Sequence, residues 1–291
     1  MGETWPGGIV VGVDGSPGSY HAFDWALAAA ERHHAALQVT YAEPVPLGPV
    51  TPVPAYRPDE IWHESQRILR RAVDRVDART RGSVPVTAVP AAGGPTSALV
   101  ASSRDADLVV VGRRGAAATR HLLGSVSSVV ASRAHGPVAV VPTRARAGPP
   151  NRVVVGVGFD DDPTAMLDLA FAEAQSCRCP IVLLHAVQPS SRVAREAGSA
   201  RDEDVQAALR GLAYRWGTQY PDVDCRLETR SGGPVSALLE DVTSSDLLVL
   251  GGHRHLRAVG RLLGSVPDVL LGDAPCVVAV AHTTRPHVAE D

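Results

Sequence analysis

The chain alternates short apolar runs with segments in which apolar residues recur every three or four positions. The uninterrupted run Ile9–Val13 is typical of a strand buried on both faces of a sheet. Four similar runs follow in the first half, at Ala36–Ala42, Pro85–Ala91, Ala106–Gly112 and Pro137–Pro142. The segments between them predict helices, namely one opened by Ser16 and Pro17 and then Pro58–Thr80, Pro95–Arg104 and Gly124–Ala134.

The apolar spacing within two of these helices predicts which side chains face the core. In the first helix the inward stripe is Ala22, Trp25, Ala26 and Ala29. In the second helix it is Ile61, Ile68, Leu69, Val73 and Val76. Strands separated by helices imply right-handed crossovers between parallel strands, with helices on both faces. The pattern therefore predicts an α/β fold with an open five-stranded parallel sheet.

The second half of the chain repeats the first. The segment "GGPTSALVASSRDADLVVVG" matches "GGPVSALLEDVTSSDLLVLG", and "LLGSV" occurs in both halves. Gly112 corresponds to Gly251, and Gly124 to Gly264. The stretch Pro142–Arg152, rich in proline and arginine, is typical of an exposed linker. We therefore expect two domains, residues 1–145 and residues 150–291, each an open five-stranded parallel sheet.

Composition narrows the class of protein. Hydrophobic residues make up 45% of the chain, and the net charge of -3 gives no argument for nucleic acid or a membrane as partner. No apolar run reaches the roughly 20 residues that span a bilayer, and the first residues do not resemble a signal peptide. We expect a cytoplasmic protein whose four cysteines are reduced thiols. All 28 basic residues are arginine, which excludes lysine-dependent phosphate loops and Schiff-base chemistry.

Ligands of open parallel sheets bind beyond the carboxyl ends of the strands, where the strand order reverses. Here those positions carry "DGSPGS" after strand 1 and "GRRGAAATRHLLGS" after strand 4. A helix N-terminus favours an anion, so Gly124 would admit a phosphate and Ser125 would cap the helix and offer its hydroxyl. Arg113, Arg114 and Arg120 would screen negative charge. The alternative is that these glycines only make a tight turn between strand and helix.

These motifs resemble one family. The arrangement Gly112-x2-Gly115…Gly124-Ser125, together with "VVGVDGSPGS", "ADLVVVGRRG" and "GPVAVVP" in the same order, resembles the universal stress proteins. The family pattern occurs twice in succession, and the two copies together cover nearly the whole chain. The chain therefore resembles the tandem-domain type that is common in actinobacteria. The resemblance implies strand order 3-2-1-4-5 in each repeat, an architecture like that of the adenine nucleotide alpha hydrolases, and an adenine nucleotide as ligand.

The resemblance also implies which residues bind ATP, with or without Mg²⁺. Adenosine would lie between the ends of strands 1 and 2, and the phosphates would lie on the glycine loop. The candidate nucleotide-binding residues are Asp14, Gly15, Ala42, Val111, Gly112, Arg114, Gly115, Gly124, Ser125, Val126 and Ser127. The corresponding candidates of the second domain are Ala186, Gly251, Gly264, Ser265 and Val266.

Both halves depart from the family pattern. Eight residues separate Gly115 from Gly124, where nine are usual in the family. Either the loop accommodates this deletion, or the deletion displaces the backbone that would bind the phosphates. In the second half Gly158 stands in place of Asp14, and Arg254 in place of Gly115. If that position needs positive φ, Arg254 would be strained. Alternatively, Arg254 forms a different anion site with Arg257 and Arg261. We therefore expect a degenerate second site.

The function implied is an ATP-binding regulator of the stress response, with an unidentified protein partner. The alternative is a nucleotide-free scaffold, and a slow ATPase is a third reading. No catalytic residue is assigned, and His253 and His255 have no further ligands in the sequence that would make a metal site. The resemblance also implies that the last strands of the two domains pair as an intramolecular pseudo-dimer. Formation of a homodimer is left open.

Overall fold

The chain forms two compact units, Met1–Pro149 and Pro150–Asp291. A computed structural model describes residues 5–42, 58–80, 82–91, 94–115, 123–159, 162–187, 198–252 and 265–282. Each unit has its own apolar core, in which Phe23 of the first unit and Phe171 of the second are fully buried.

The first unit contains five strands and four helices among the described residues. The strands are β1 (Ile9–Gly12), β2 (Leu37–Ala42), β3 (Val86–Ala91), β4 (Leu108–Gly112) and β5 (Val138–Val141). The helices are α1 (Pro17–His33), α2 (Pro58–Thr80), α3 (Pro95–Ser102) and α4 (Ser125–Arg133). The strands are all parallel and lie in the order β3-β2-β1-β4-β5. The predicted order is confirmed, and it makes β1 and β4 the neighbours at which the order reverses.

Helix α1 follows from a short run of sequence signals. The Ser16 hydroxyl accepts a hydrogen bond from the Ser19 amide at 3.1 Å, which caps the helix, and Pro17 occupies its first turn. The predicted stripe of Ala22, Trp25, Ala26 and Ala29 is buried. The helix ends at His34, which adopts a left-handed conformation with φ of 50°.

In helix α2 the prediction of the buried face is confirmed in part. Ile68, Leu69 and Val76 are buried, whereas Val73 is half-buried. The side chain of Ile61 lies outside the described residues. Arg75 donates from Nη2 to Asp24 of α1 at 2.7 Å, so a charged pair joins the two helices at their surface.

The second unit repeats this architecture. Its strands are β6 (Val153–Gly156), β7 (Ile181–Val187), β8 (Cys225–Ser231), β9 (Leu247–Gly252) and β10 (Val277–His282). Its helices are α5 (Thr164–Cys177), α6 (Gly198–Gln219), α7 (Pro234–Asp241) and α8 (Ser265–Asp273). The strands are parallel in the order β8-β7-β6-β9-β10, which is again 3-2-1-4-5. No helix among the described residues is both long and apolar enough to cross a membrane.

Cys225 is the first residue of the outer strand β8, and the reactivity of its thiol tests whether this end of the strand is shielded from solvent. Burial, aided by the neighbouring Asp224 carboxylate, raises the pKa of its thiol from 9.0 to about 11. Because the thiolate is the nucleophile, alkylation of Cys225 at pH 8 should be roughly 10–100-fold slower in the folded chain than in urea. Trypsin releases Cys225 alone on the peptide between Arg215 and Arg226, so mass spectrometry of iodoacetamide-treated protein measures this rate. Equal rates with and without urea would contradict the burial.

Candidate functional site

The carboxyl ends of β1 and β4 in the first unit meet the first turn of α1. A Cβ on Gly112 would lie 2.9 Å from the carbonyl oxygen of Gly18, and one on Gly18 would lie 2.8 Å from the carbonyl oxygen of Arg114. Real Cβ atoms do not approach backbone atoms so closely, so both positions require glycine. This pair of glycines brings the loop after β4 against the start of α1.

Asp14 is held in place by the residues that follow it. Its Oδ1 accepts a hydrogen bond from the Ser16 amide at 3.0 Å, and its own amide donates to Ser19 Oγ at 3.2 Å. Ser19 Oγ in turn donates to the Ser16 carbonyl at 3.0 Å. The sequence analysis did not assign a role to Ser16 and Ser19 in positioning Asp14, although both lie in the "DGSPGS" run. The carboxylate itself remains exposed.

Gly115 lies directly against this carboxylate. A Cβ on Gly115 would come 2.4 Å from Asp14 Oδ2, so any side chain there would have to displace Asp14. Gly115 is not in the left-handed region, which the described glycines Gly8, Gly15, Gly82, Gly94 and Gly232 do occupy. Gly115 thus lacks the positive φ on which the expected strain at Arg254 depends, and Arg254 itself lies outside the described residues. Glycine at this position leaves room for a carboxylate that comes from 101 positions earlier in the chain.

The N-terminus of α4 is the third part of the site. Gly124 is the N-cap residue and the helix has no side-chain cap, so the expectation that Ser125 caps it is wrong. Ser125 is instead the first helical residue, and its side chain is exposed. Because Gly124 has no side chain, the first amides of the helix are left for another acceptor.

Two bonds fix this helix end to the loop after β4. The Gly124 amide donates to the Arg113 carbonyl at 2.9 Å, and the buried Ser127 hydroxyl lies 3.0 Å from the same oxygen. Ser127 Oγ is also 2.9 Å from the Gly124 carbonyl. Ser127, a predicted ligand residue, therefore uses its hydroxyl to hold the loop after β4 against α4.

The remaining predicted residues contribute unequally. Among the arginines expected to screen negative charge, Arg113 is only 5% exposed, whereas Arg114 is half-buried. Gly15, with φ of 83°, packs near Ile68 of α2. Ala42 ends β2 and is half-buried, Val111 is buried in β4, and Val126 lies in the first turn of α4. Arg120 lies outside the described residues.

Replacing Gly112 should show how tightly these elements pack. We expect Gly112→Ala to destabilise the first unit by about 1–3 kcal/mol, because its Cβ meets backbone that cannot move alone. The matched control is Gly251→Ala, where the nearest atom is Met166 Sδ at 3.8 Å, an ordinary contact. Scanning calorimetry would compare the two variants with the native chain. Equal melting temperatures for both variants would contradict the close approach of Gly112 and Gly18.

The second unit has a different arrangement at the corresponding position. Ala186, Gly251 and Val266 line a cavity there, and Ser265 begins α8. Gly264 lies outside the described residues, as do Arg254, Arg257, Arg261, His253 and His255. Gly158 stands where Asp14 stands, so the carboxylate of the first unit has no counterpart at this position. Among the described residues no group of three or more metal-ligating side chains is placed to hold a metal ion.

Comparison with known proteins agrees with the tandem architecture. A model of the universal stress protein family matches residues 8–142 and again residues 150–282. The chain is 33% identical over 304 residues to universal stress protein Rv1996 of Mycobacterium tuberculosis, with 94% of each protein covered. It is 32% identical over 288 residues to universal stress protein Rv2005c of the same species, covering 94% of this chain and 97% of that protein.

Solved structures show the same fold. The crystal structure of a universal stress protein from Archaeoglobus fulgidus matches 95% of this chain and 98% of its own, with a TM-score of 0.74 at 19% identity. A Pseudomonas aeruginosa structure described as a putative universal stress protein matches 94% of this chain and 92% of its own, with a TM-score of 0.57 at 13% identity. At these identities the likeness concerns the fold alone.

Proposed function

We propose that this chain, which belongs to the universal stress protein family along both of its units, binds ATP in the first unit and acts as a nucleotide-responsive regulator. The observation that supports this most is the convergence of three elements at one sheet edge. These elements are the residues after β1, which include Asp14, the loop after β4, which includes Gly115, and the start of α4. Gly115 lies against the Asp14 carboxylate, and Gly18 lies against the backbone of the loop after β4. The Arg113 carbonyl of that loop accepts a hydrogen bond from Gly124 at the start of α4. Each element offers a different part of nucleotide recognition.

The start of α4 is suited to the phosphates. Amides at a helix N-terminus point outward and carry partial positive charge, and no side chain of Gly124 blocks their approach. The exposed Ser125 hydroxyl adds a further donor, and Arg114 supplies a formal positive charge nearby. We assign the phosphates to this end of the site.

The other end of the site is suited to adenosine. Gly15 and Ala42 follow β1 and β2, and neither has a bulky side chain that would cover the strand ends. The exposed Asp14 carboxylate is a hydrogen-bond acceptor for ribose hydroxyls and an oxygen ligand for Mg²⁺. Titrations of the native chain and of Asp14→Asn, each with and without Mg²⁺, distinguish these two roles, because only a metal-ligand role makes the substitution change how ATP affinity depends on the ion.

Binding rather than turnover is proposed because the sequence pattern places neither a general base nor a lysine at the phosphates. A ligand that contacts the ends of β1, β2 and β4 together would couple these three elements. A regulatory partner would then bind preferentially to the nucleotide-bound form of the first unit.

Isothermal titration of the intact chain with ATP, AMP and cyclic AMP tests this proposal. We expect ATP to bind with a stoichiometry near one per chain, and more tightly than AMP, since the phosphates contact α4. Absence of binding at millimolar ATP would contradict the proposal and would favour the nucleotide-free scaffold. Two equivalents of ATP per chain would contradict the assignment to the first unit.

A further inference from the structure

The second unit contains a cavity of about 340 Å³ beyond the carboxyl ends of β6, β7 and β9. This volume falls at the lower end of the range of small-molecule sites, roughly 300–1,000 Å³. Aliphatic and proline side chains make up most of the wall, namely Val157, Pro163, Met166, Leu184, Ala186, Pro234, Leu238, Leu250, Val266 and Pro267. A pocket of this size and lining favours an apolar ligand body.

The charge on the described lining residues of this cavity disfavours phosphates. None of the described residues that line it is an arginine, and Asp162 stands at its edge. Hydrogen bonds from the Thr164 hydroxyl and amide hold the pKa of Asp162 below its usual range, so this exposed carboxylate is ionised at neutral pH. An anionic ligand would therefore meet a negative charge without a compensating cation among these lining residues.

The helix that could receive an anion has also lost a donor. Pro267 occupies the third position of α8, where the first unit has Ser127 in α4. Proline has no amide hydrogen, so one of the free donors of this helix N-terminus is missing. The serine hydroxyl that fixes α4 to its loop is missing as well. The first change removes an amide donor that the first unit offers to phosphates, and the second removes a contact that positions its helix.

A phenyl ring stands where the first unit has Gly15, beside an imidazole from β7. Gly158-Phe159 replaces the pair Asp14-Gly15 in sequence, and the Phe159 ring lies 4.9 Å from the ring of His185, which lines the cavity. His185 Nδ1 is 2.8 Å from the Val157 carbonyl, and a carbonyl only accepts, so Nδ1 carries a hydrogen. In the neutral ring Nε2 is then an acceptor for a single donor.

We infer that the second unit binds a small, uncharged and largely aromatic molecule carrying one hydrogen-bond donor, rather than a nucleotide. Its rings would contact the aliphatic wall, and its donor would pair with His185 Nε2. Phe159, 42% exposed, is placed to pack on such a ligand beside His185. This inference does not depend on ATP binding by the first unit, because all the residues that carry it belong to the second.

Two dyes with the same ring skeleton test the inference in the full chain. N-phenyl-1-naphthylamine is neutral with one N–H donor, and 8-anilino-1-naphthalenesulfonate adds only a sulfonate. We expect saturable fluorescence enhancement with the neutral dye near one equivalent per chain, and affinity at least about tenfold weaker for the sulfonate, since burying a charge is costly. Equal or tighter binding of the sulfonate would overturn the inference, and so would failure of the neutral dye to bind.

Two variants locate the dye. Gly251→Leu extends a side chain from the strand end that faces Met166 and should weaken the neutral dye at least about tenfold. Gly251→Ala is the matched control and should leave affinity within about twofold, because its Cβ makes an ordinary contact. Gly158→Leu, where a Cβ meets nothing within 4 Å, is the second blocking variant if Gly251→Leu does not fold. Unchanged affinity in a folded blocking variant, or displacement of the dye by ATP, would overturn the inference.

Discussion

Replacing Arg152 with alanine should destabilise the second unit by about 3–5 kcal/mol, the usual cost of removing one partner of a buried ion pair. Arg152 donates from Nε and Nη2 to Asp246, both at 3.3 Å, and its Nη1 lies 3.1 Å from Asp241 Oδ2. The Asp246 side chain is only 3% exposed, so water cannot replace the guanidinium. In the variant Asp246 would retain only the Thr243 amide and hydroxyl as donors.

The matched control is Arg226→Ala in the same unit. Arg226 pairs with Asp224 at 2.8 Å, but both side chains are more than 60% exposed, and such pairs contribute about 0–1 kcal/mol. Scanning calorimetry should show a fall of roughly 6–20 °C for Arg152→Ala at about 2–4 °C per kcal/mol. The control should shift by no more than about 4 °C on the same scale. Similar shifts for the two variants would mean that burial of Asp246 does not govern the stability of this unit.

Replacing Gly115 with arginine should remove most of the ATP affinity of the first unit. Its Cβ would lie 2.4 Å from Asp14 Oδ2, so the carboxylate has to leave the Ser16 amide that holds it. The variant also reproduces the residue that the second half carries at this position, Arg254. We expect affinity at least about tenfold weaker in isothermal titration, equivalent to about 1.4 kcal/mol or more.

Gly211→Arg controls for the added charge. Gly211 is exposed in α6, and a Cβ there meets nothing within 4 Å. At an exposed position inside a helix, arginine is more favourable than glycine by up to about 1 kcal/mol of helix stability. This variant should therefore fold and bind ATP like the native chain. If Gly115→Arg binds ATP as tightly as Gly211→Arg does, the contact between Gly115 and Asp14 has no part in the site.

The apolar pattern of the sequence predicts the elements, because each helix buries one apolar face and the central strands are buried on both faces. The order of the strands came from the family resemblance, and both units confirm it. Helix boundaries were less certain, as Ser125 shows. It was expected to be the cap, and it is the first helical residue because Gly124 already occupies the cap position.

The reasons for individual site residues depend on contacts between distant parts of the chain. The family resemblance identified Gly115 as a candidate site residue. Its contact with Asp14 could not be predicted, because the two residues come together only when β1 and β4 pair in the sheet. Ser127 similarly turned inward to the Arg113 carbonyl. In the second unit the missing Asp14 and Gly115 equivalents were visible in sequence. The cavity could not be predicted from the sequence, because its volume depends on the distance between Met166 and Gly251 in the folded chain.

Hydrogen exchange measured by mass spectrometry, with and without saturating ATP, tests most directly whether the first unit holds the nucleotide. We predict slower amide exchange in peptides that cover Asp14–Ser19 and the first turn of α4, Ser125–Ser128. Peptides that cover Gly158–Thr164 and the first turn of α8 should exchange at the same rate in both samples. Protection confined to the second unit, or absent from both, would contradict the account.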